Sequence, residues 1–166
     1  GSLGSAITDT LSWVPPLSLL NQIPSSTAGN CTITCNTYSD SACTTQIGSS
    51  QTTTLVLKTK SSLCSPMMSM TLSDTDTKTT SVEPSGSYVK YASDLKADWT
   101  SSLKYGATIS SLNITCGNDT KSGTNLTTAT FTNVAADSIV LILTDSRGYS
   151  VSQTESYTLI DYVSLS

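Results

Sequence analysis

The chain of 166 residues is long enough for one large or two small domains. It carries 8 Lys and Arg against 12 Asp and Glu, a net charge of -4, and only 12% of its residues are charged. That balance excludes nucleic acid as a partner, because such a binder needs clustered basic side chains to displace counterions, and it equally argues against an anionic membrane surface. Arg147 is the one arginine, and Lys58, Lys60, Lys78, Lys90, Lys96, Lys104 and Lys121 are scattered singly.

Composition points to an all-β fold. Ser and Thr make up more than a third of the chain. Thr favours strands, and Ser suits turns and exposed faces. Good helix formers are scarce, with Glu83 and Glu155 the only glutamates. No apolar run approaches the roughly 20 residues that a spanning helix needs. Gly1 to Pro16 lacks the basic start and long apolar stretch of a signal peptide.

Leu11 to Val14 reads as a short strand stopped by Pro15 and Pro16. Leu17, Leu20 and Ile23 are spaced as a helical turn or two crossing the end of a sandwich. Ser25 to Gly29 is a turn. Asn30 to Tyr38 alternates, with Cys31, Ile33 and Cys35 on one face and Thr32 and Thr34 on the other. Thr44 to Gly48 and Gln51 to Thr59 read as the next two strands. Ser61 to Pro66 is the expected linker between two domains.

After the linker a fresh set of strands begins. Met68, Met70 and Leu72 alternate with polar residues, as do Leu95, Ala97 and Trp99, and Leu112, Ile114 and Cys116. Ser73 to Gly86 is a long polar stretch, and Gly117 to Gly123 a polar turn. Thr128 to Val134 holds a further strand. Ser138 to Thr144, SIVLILT, is the most apolar strand and belongs in a sheet centre. Asp145 to Gly148, DSRG, fits a type I turn with Asp first and Gly last. Tyr149 to Val163 is the return strand, broken near Gln153 to Glu155. About seven strands at this spacing predict an immunoglobulin-like sandwich. The expected organisation is two tandem immunoglobulin-like sandwiches, residues 1–65 and 66–166, the first with too few strands and an open edge.

Candidate sites are few. The five cysteines, Cys31, Cys35, Cys43, Cys64 and Cys116, leave at least one thiol without an intrachain partner. Cys31 and Cys35 lie four residues apart on one strand, about 13 Å, too far for a mutual disulfide. A Cys43–Cys64 pair remains open. With no His and no CxxC pair, zinc is not expected, and no metal or cofactor is. Asp94 and Asp98 are the nearest acidic pair and read as solvent-facing residues beside Lys96 rather than as a glycosidase pair. Asp74, Thr75 and Asp76 resemble part of a calcium loop but lack its Gly and closing Glu. The chain is therefore not expected to be an enzyme. The sequons at Asn30, Asn113, Asn118 and Asn125 are expected by chance in a Thr-rich chain. Trp99 shares a face with Leu95 and Ala97 and is expected in a core, and Trp13 is expected to cap the first domain. Tyr88, Tyr91, Tyr105 and Tyr149 lie near strand ends or loops and are the candidate ligand-contact aromatics, for sugars.

Two stretches carry a resemblance. The first is LSWVPPLSLLNQIPSSTAGNCTITCNTY, Leu11 to Tyr38. The second runs from Ser87 to Ser152 and holds SYVKYASDLKADW, YGATISSLNIT and SIVLILTDSRGYSVS. In this order they resemble the Ig-like repeats of minor structural, tail-associated proteins of siphophages infecting Gram-positive bacteria. The second stretch departs from that family in carrying few basic residues. The resemblance implies a virion location and a role as tail or fibre spacer or decoration, with weak attachment to the host cell wall. The implied partners are other tail proteins, further copies of the chain, and cell-wall polysaccharide. Two rivals are a carbohydrate-binding adhesin module and a strand-exchanged surface filament subunit.

Overall fold

The computed structural model describes residues 10–84 and 86–161. The protein is all-β, and its strands divide between a two-stranded ribbon and a sandwich. The first helical stretch is a 3-10 helix at Leu17–Gln22, where the leucine spacing places it. The ribbon follows. Strand β1 (Ala28–Tyr38) pairs antiparallel with β2 (Gln46–Lys58) from Ala28 opposite Lys58 to Tyr38 opposite Gln46. The two strands expected at Thr44–Gly48 and Gln51–Thr59 are one continuous strand. The break falls instead on a bulge, where the register shifts between Cys35 and Thr37. Gly48, at φ 70, takes up the extra residues opposite that shift, a backbone state that a Cβ would strain.

A single helical turn at Ser61–Cys64 occupies the expected linker. It is not a loose connector, because Cys64 is fully buried. The sandwich then begins with β3 (Met67–Asp74). It continues through β4 (Ser87–Val89), β5 (Leu95–Ser102), β6 (Ile109–Cys116), β7 (Asp119–Ser122), β8 (Thr128–Phe131), β9 (Ser138–Asp145), β10 (Ser150–Ser156) and β11 (Thr158–Ile160). One sheet has the order β3-β5-β8 and the other β10-β9-β6-β7, while β4 and β11 form a small parallel pair. The most apolar strand, β9, sits between β10 and β6, as its composition requires.

Alternation builds the core. Leu95, Ala97 and Trp99 of β5 all point inward, with Met70 of β3 and Ala129 and Phe131 of β8 beside them. They meet Leu112, Ile114 and Cys116 of β6 and Ile139, Leu141 and Leu143 of β9. At about 1.5–3 kcal/mol for each large side chain removed from water, this face-to-face layer is the dominant stabilising term. Trp99 thus lies in the core, as its strand position predicted.

The ribbon has no comparable core. No second sheet faces β1 and β2 among the described residues, and no hydrophobic side chain from Leu11 to Leu63 is buried. The region expected as a first, incomplete sandwich therefore shows one two-stranded sheet, because its strands alternate Thr with small or single apolar residues and bury too little to hold a second layer. Leu11–Val14, expected as a strand, is irregular, and among the described residues no strand pairs with it. Trp13 there is half-buried. The return strand breaks at Tyr157, slightly later than expected, and the expected end at Val163 lies outside the described residues.

Candidate functional site

The DSRG turn is the best-defined polar centre of the molecule. Its local geometry follows from sequence: the Gly148 N–H donates to the Asp145 carbonyl at 2.9 Å, and Gly148 adopts φ 89. The Asp145 carboxylate accepts the backbone N–H groups of Arg147 and Tyr149, both at 2.9 Å through Oδ1. This is the Asx-turn arrangement that favours Asp at such a position.

What sequence reasoning missed is the side chain of Arg147. It is buried, and its guanidinium donates to four carbonyls from two separate chain segments. Nε reaches Ile23 O at 3.0 Å, and Nη2 reaches Leu20 O at 3.1 Å. Nη1 reaches Lys104 O at 2.9 Å, and Nη2 also reaches Tyr105 O at 2.7 Å. Next to it, the Ser146 hydroxyl donates to Pro24 O at 2.6 Å and accepts the Thr108 N–H at 3.1 Å. Oδ2 of Asp145 accepts no hydrogen bond but lies 3.9 Å from Nη1 of Arg147, so the buried pair is neutralised in place. Only arginine offers a planar fork with enough donors for this set. The signal in the sequence was composition: a lone arginine in a chain otherwise supplied with scattered lysines.

The clamp ties the end of the 3-10 helix, and hence the base of the ribbon, to the end of the sandwich. Two further contacts fix the same junction. The Thr59 and Tyr149 hydroxyls lie 2.6 Å apart. A Cβ built on Gly29 would come 2.7 Å from Ile23 Cγ2, so the ribbon base packs closely on the segment and any larger residue there would have to displace the Ile23 side chain.

The four candidate tyrosines are not brought together. Tyr88 is buried and packs edge-on against Tyr157, with ring centroids 4.9 Å apart, so it serves the core rather than a ligand surface. Burial pushes its phenol pKa up, with the negative charges of Glu83 and Asp74 adding to the shift. Tyr91 is 66% exposed, at φ 62, with Lys90 Nζ 5.3 Å from its ring centre. Its N–H donates to Val134 O, and Val134 lines a shallow groove of about 400 Å³ with Cys116, Gly117 and Phe131. Tyr105 and Tyr149 are half-buried and belong to the arginine junction. The groove and the junction lie at opposite ends of β9, roughly 23 Å apart along an eight-residue strand.

The acidic residues are used locally. Asp74 accepts the N–H groups of Asp76 and Asp94 and the Thr79 hydroxyl. Burial alone would raise its pKa, but the Ser93 and Thr79 hydroxyls and these amides outweigh it and hold the carboxyl below its ordinary value. Glu83 moves the other way, raised first by burial and then by the charge of Asp74. Asp94 accepts the Asn133 N–H, and Asp98 pairs with Lys96 at 2.9 Å. The Asp74–Asp76 segment thus closes a loop onto itself. Among the described residues no three Cys, Asp or Glu groups converge as a metal site. All five cysteines are unpaired. Cys43 lies at the ribbon tip and Cys64 beyond its base, which separates the one pair that spacing left open.

Fold and junction together define an all-β sandwich-type protein that holds a long two-stranded ribbon through a buried arginine. A family model described as "Siphovirus protein of unknown function (DUF859)" matches residues 1–166. The chain belongs to that siphovirus family. Neither a curated protein nor a solved structure matches it.

Proposed function

We propose that the chain is a non-enzymatic structural module of the phage virion, a spacer or decoration of the tail or fibre of a siphophage with a Gram-positive host. Membership of the siphovirus family carries this reading. The sandwich supports it. Counting its principal strands in order, the first, second and fifth face the fourth, third, sixth and seventh, the partition of an immunoglobulin-like sandwich with one strand moved across. Such a body is rigid, and the arginine junction holds the ribbon to it. The acidic side chains are occupied with loop amides and a lysine, which suits a structural role.

Weak attachment to cell-wall polysaccharide is the finer part of the proposal. The exposed Tyr91 beside Lys90, next to the shallow groove, is the surface that supports it. One exposed tyrosine is a small platform, so the affinity expected is low. An adhesin proper would draw on several clustered aromatics, and the remaining candidates lie elsewhere.

The experiment is mass spectrometry of purified particles with antibody labelling in electron micrographs, followed by sedimentation of the labelled chain with Gram-positive cells. Labelling along the tail or fibre is the expected result. Absence of the chain from purified particles would overturn the virion reading. Strain-selective binding lost in Tyr91→Ala would make the tyrosine a receptor contact, and binding unaffected by that change would remove it from the proposal.

A further inference from the structure

We propose that the groove between residues 116–119 and 131–136 is a subsite for one uncharged sugar ring, with Tyr91 as the stacking platform at its rim. The inference rests on the reading of weak wall attachment and names the chemistry of the ligand. The groove holds about 400 Å³, within the roughly 300–1,000 Å³ of small-ligand clefts. Its floor is apolar, since Cys116, Phe131 and Val134 are each buried. Its walls carry Asn118, Asp119, Thr132 and Asn133, all exposed. A side-chain amide both donates and accepts, as a sugar hydroxyl does, so the two asparagines suit a ligand rich in hydroxyls.

The rim is held in shape against its local preference. Tyr91 and Asn133 both have left-handed backbone, at φ 62 and 52. Asparagine tolerates that region, but a bulky tyrosine adopts it only where the surrounding structure imposes it, a form of strain that gathers at functional sites. Three hydrogen bonds impose it here. The Tyr91 N–H donates to Val134 O at 2.8 Å, the Val134 N–H to Ser93 O at 3.1 Å, and the Asn133 N–H to Asp94 Oδ1 at 3.1 Å. Gly117 is left-handed too, at φ 59, and a Cβ there would stand 3.2 Å from Ala136 Cβ, so the two walls meet closely at that end. The result is a fixed aromatic ring, 66% exposed, beside a preformed groove. Its apolar face suits the C–H face of a sugar, and little ordering is left to oppose binding.

Charge selects the ligand class. A second hollow of about 570 Å³, lined by Lys90, Asp137, Tyr157 and Asp161, shares Ala135 and Ala136 with the groove. Lys121 offsets Asp119 at 4.0 Å, which leaves Asp137 and Asp161 against Lys90 along the two hollows. A polymer of phosphodiesters or uronic acids would meet net negative charge there, with one lysine to pair, and that lysine already stands 5.3 Å from the centre of the Tyr91 ring. The one arginine is buried in the junction at the other end of β9. An uncharged sugar meets no such repulsion, and its hydroxyls find both amides and carboxylates.

Chemical-shift mapping of the isotope-labelled full chain tests this. The probes are neutral oligosaccharides of glucose, galactose, rhamnose and N-acetylglucosamine, with poly(glycerol phosphate) as the anionic comparison. At least one neutral probe is expected to shift the amides of residues 91, 117–119 and 132–136 saturably, with a dissociation constant of about 0.1–10 mM, while the phosphate polymer leaves them in place. Tyr91→Ala is expected to weaken that binding at least about tenfold with the melting temperature unchanged. Asn133→Gly keeps the left-handed backbone, removes the amide, and is expected to weaken it at least about threefold. No shift with any neutral probe at about 50 mM overturns the proposal, as do shifts confined to other residues, a preference for the phosphate polymer, or binding indifferent to both variants. The readings fail separately. Sedimentation with cells but no shift at the groove sinks only this site, and sugar bound at the groove by a chain absent from purified particles sinks only the virion role.

Discussion

The ribbon and the sandwich are both antiparallel β-structure from one Thr-rich chain, yet they are held by different means. The sandwich closes two sheets over Leu95, Trp99, Leu112, Ile114, Ile139, Leu141 and Leu143. Among the described residues the ribbon closes over no second sheet, and its register is kept by backbone ladder bonds and by the junction at its base. Charge divides nearly the same way: of the eight basic residues only Lys58, the last residue of β2, stands in the ribbon. Secondary structure therefore does not set stability here. What counts is whether the alternating faces find a second layer.

The sharpest test of that contrast is in the sandwich. Leu141→Ala removes a fully buried side chain between two sheets and is expected to cost about 3–4 kcal/mol, read from urea unfolding at constant m. An equivalent truncation in the ribbon, Leu55→Ala, is expected to cost under about 1 kcal/mol in the monomer, because that side chain is already partly in water. Similar costs for the two would break the comparison.

Next comes the junction. Arg147→Ala strands four carbonyls and leaves the Asp145 carboxylate buried without its cation, so a loss of about 3 kcal/mol is expected. Arg147→Lys keeps the charge but not the fork and is expected to recover less than half of it. Hydrogen exchange locates the effect: amides of residues 20–23 and 104–108 are expected to lose protection before those of β9. Uniform loss across the sandwich would mean that the arginine stabilises the core rather than the tether.

Tyr149→Phe and Thr59→Val probe the one hydroxyl pair across the junction. A coupling of about 0.5–1 kcal/mol is expected from the double-mutant cycle. Zero coupling would remove this contact from the account.

The smallest effect is electrostatic. Glu83 has a folded pKa above its ordinary value of 4.5, so its contribution is fully present below that value and is lost as pH rises through the folded pKa. Asp74 is depressed below 3.8, so its contribution is present above that value and lost as pH falls through the folded pKa. Stability is expected to be highest in the mildly acidic range between the two. Glu83→Gln is expected to raise the melting temperature near neutral pH by about 1–2 °C and to flatten the gain on acidification. An unchanged profile would show that the loop is too well solvated for the repulsion to matter.

Much of the fold was legible because it follows from local periodicity. The inward sets on β5, β6 and β9 stand at every second position, and a strand has no other way to place them. The DSRG turn was legible for the same reason, since Asp and Gly fix its backbone from within four residues. The Arg147 clamp was not, because its carbonyl partners lie 42 to 127 positions away in the chain and a carbonyl leaves no mark in sequence. Tyr88 was misread as a surface aromatic because β4 is only three residues long, too short to reveal its inward face.

The sequence by itself determined that this chain is built of strands, which residues face inward on β5, β6 and β9, and that it carries few, scattered basic residues. These are properties of neighbouring residues and of composition. Only the tertiary structure decided that, among the described residues, the buried core lies in the sandwich, and that a single arginine joins the ribbon to it. Burial and long-range hydrogen bonds depend on which segments meet in space, and that depends on how much apolar surface each face can hide once the chain is folded.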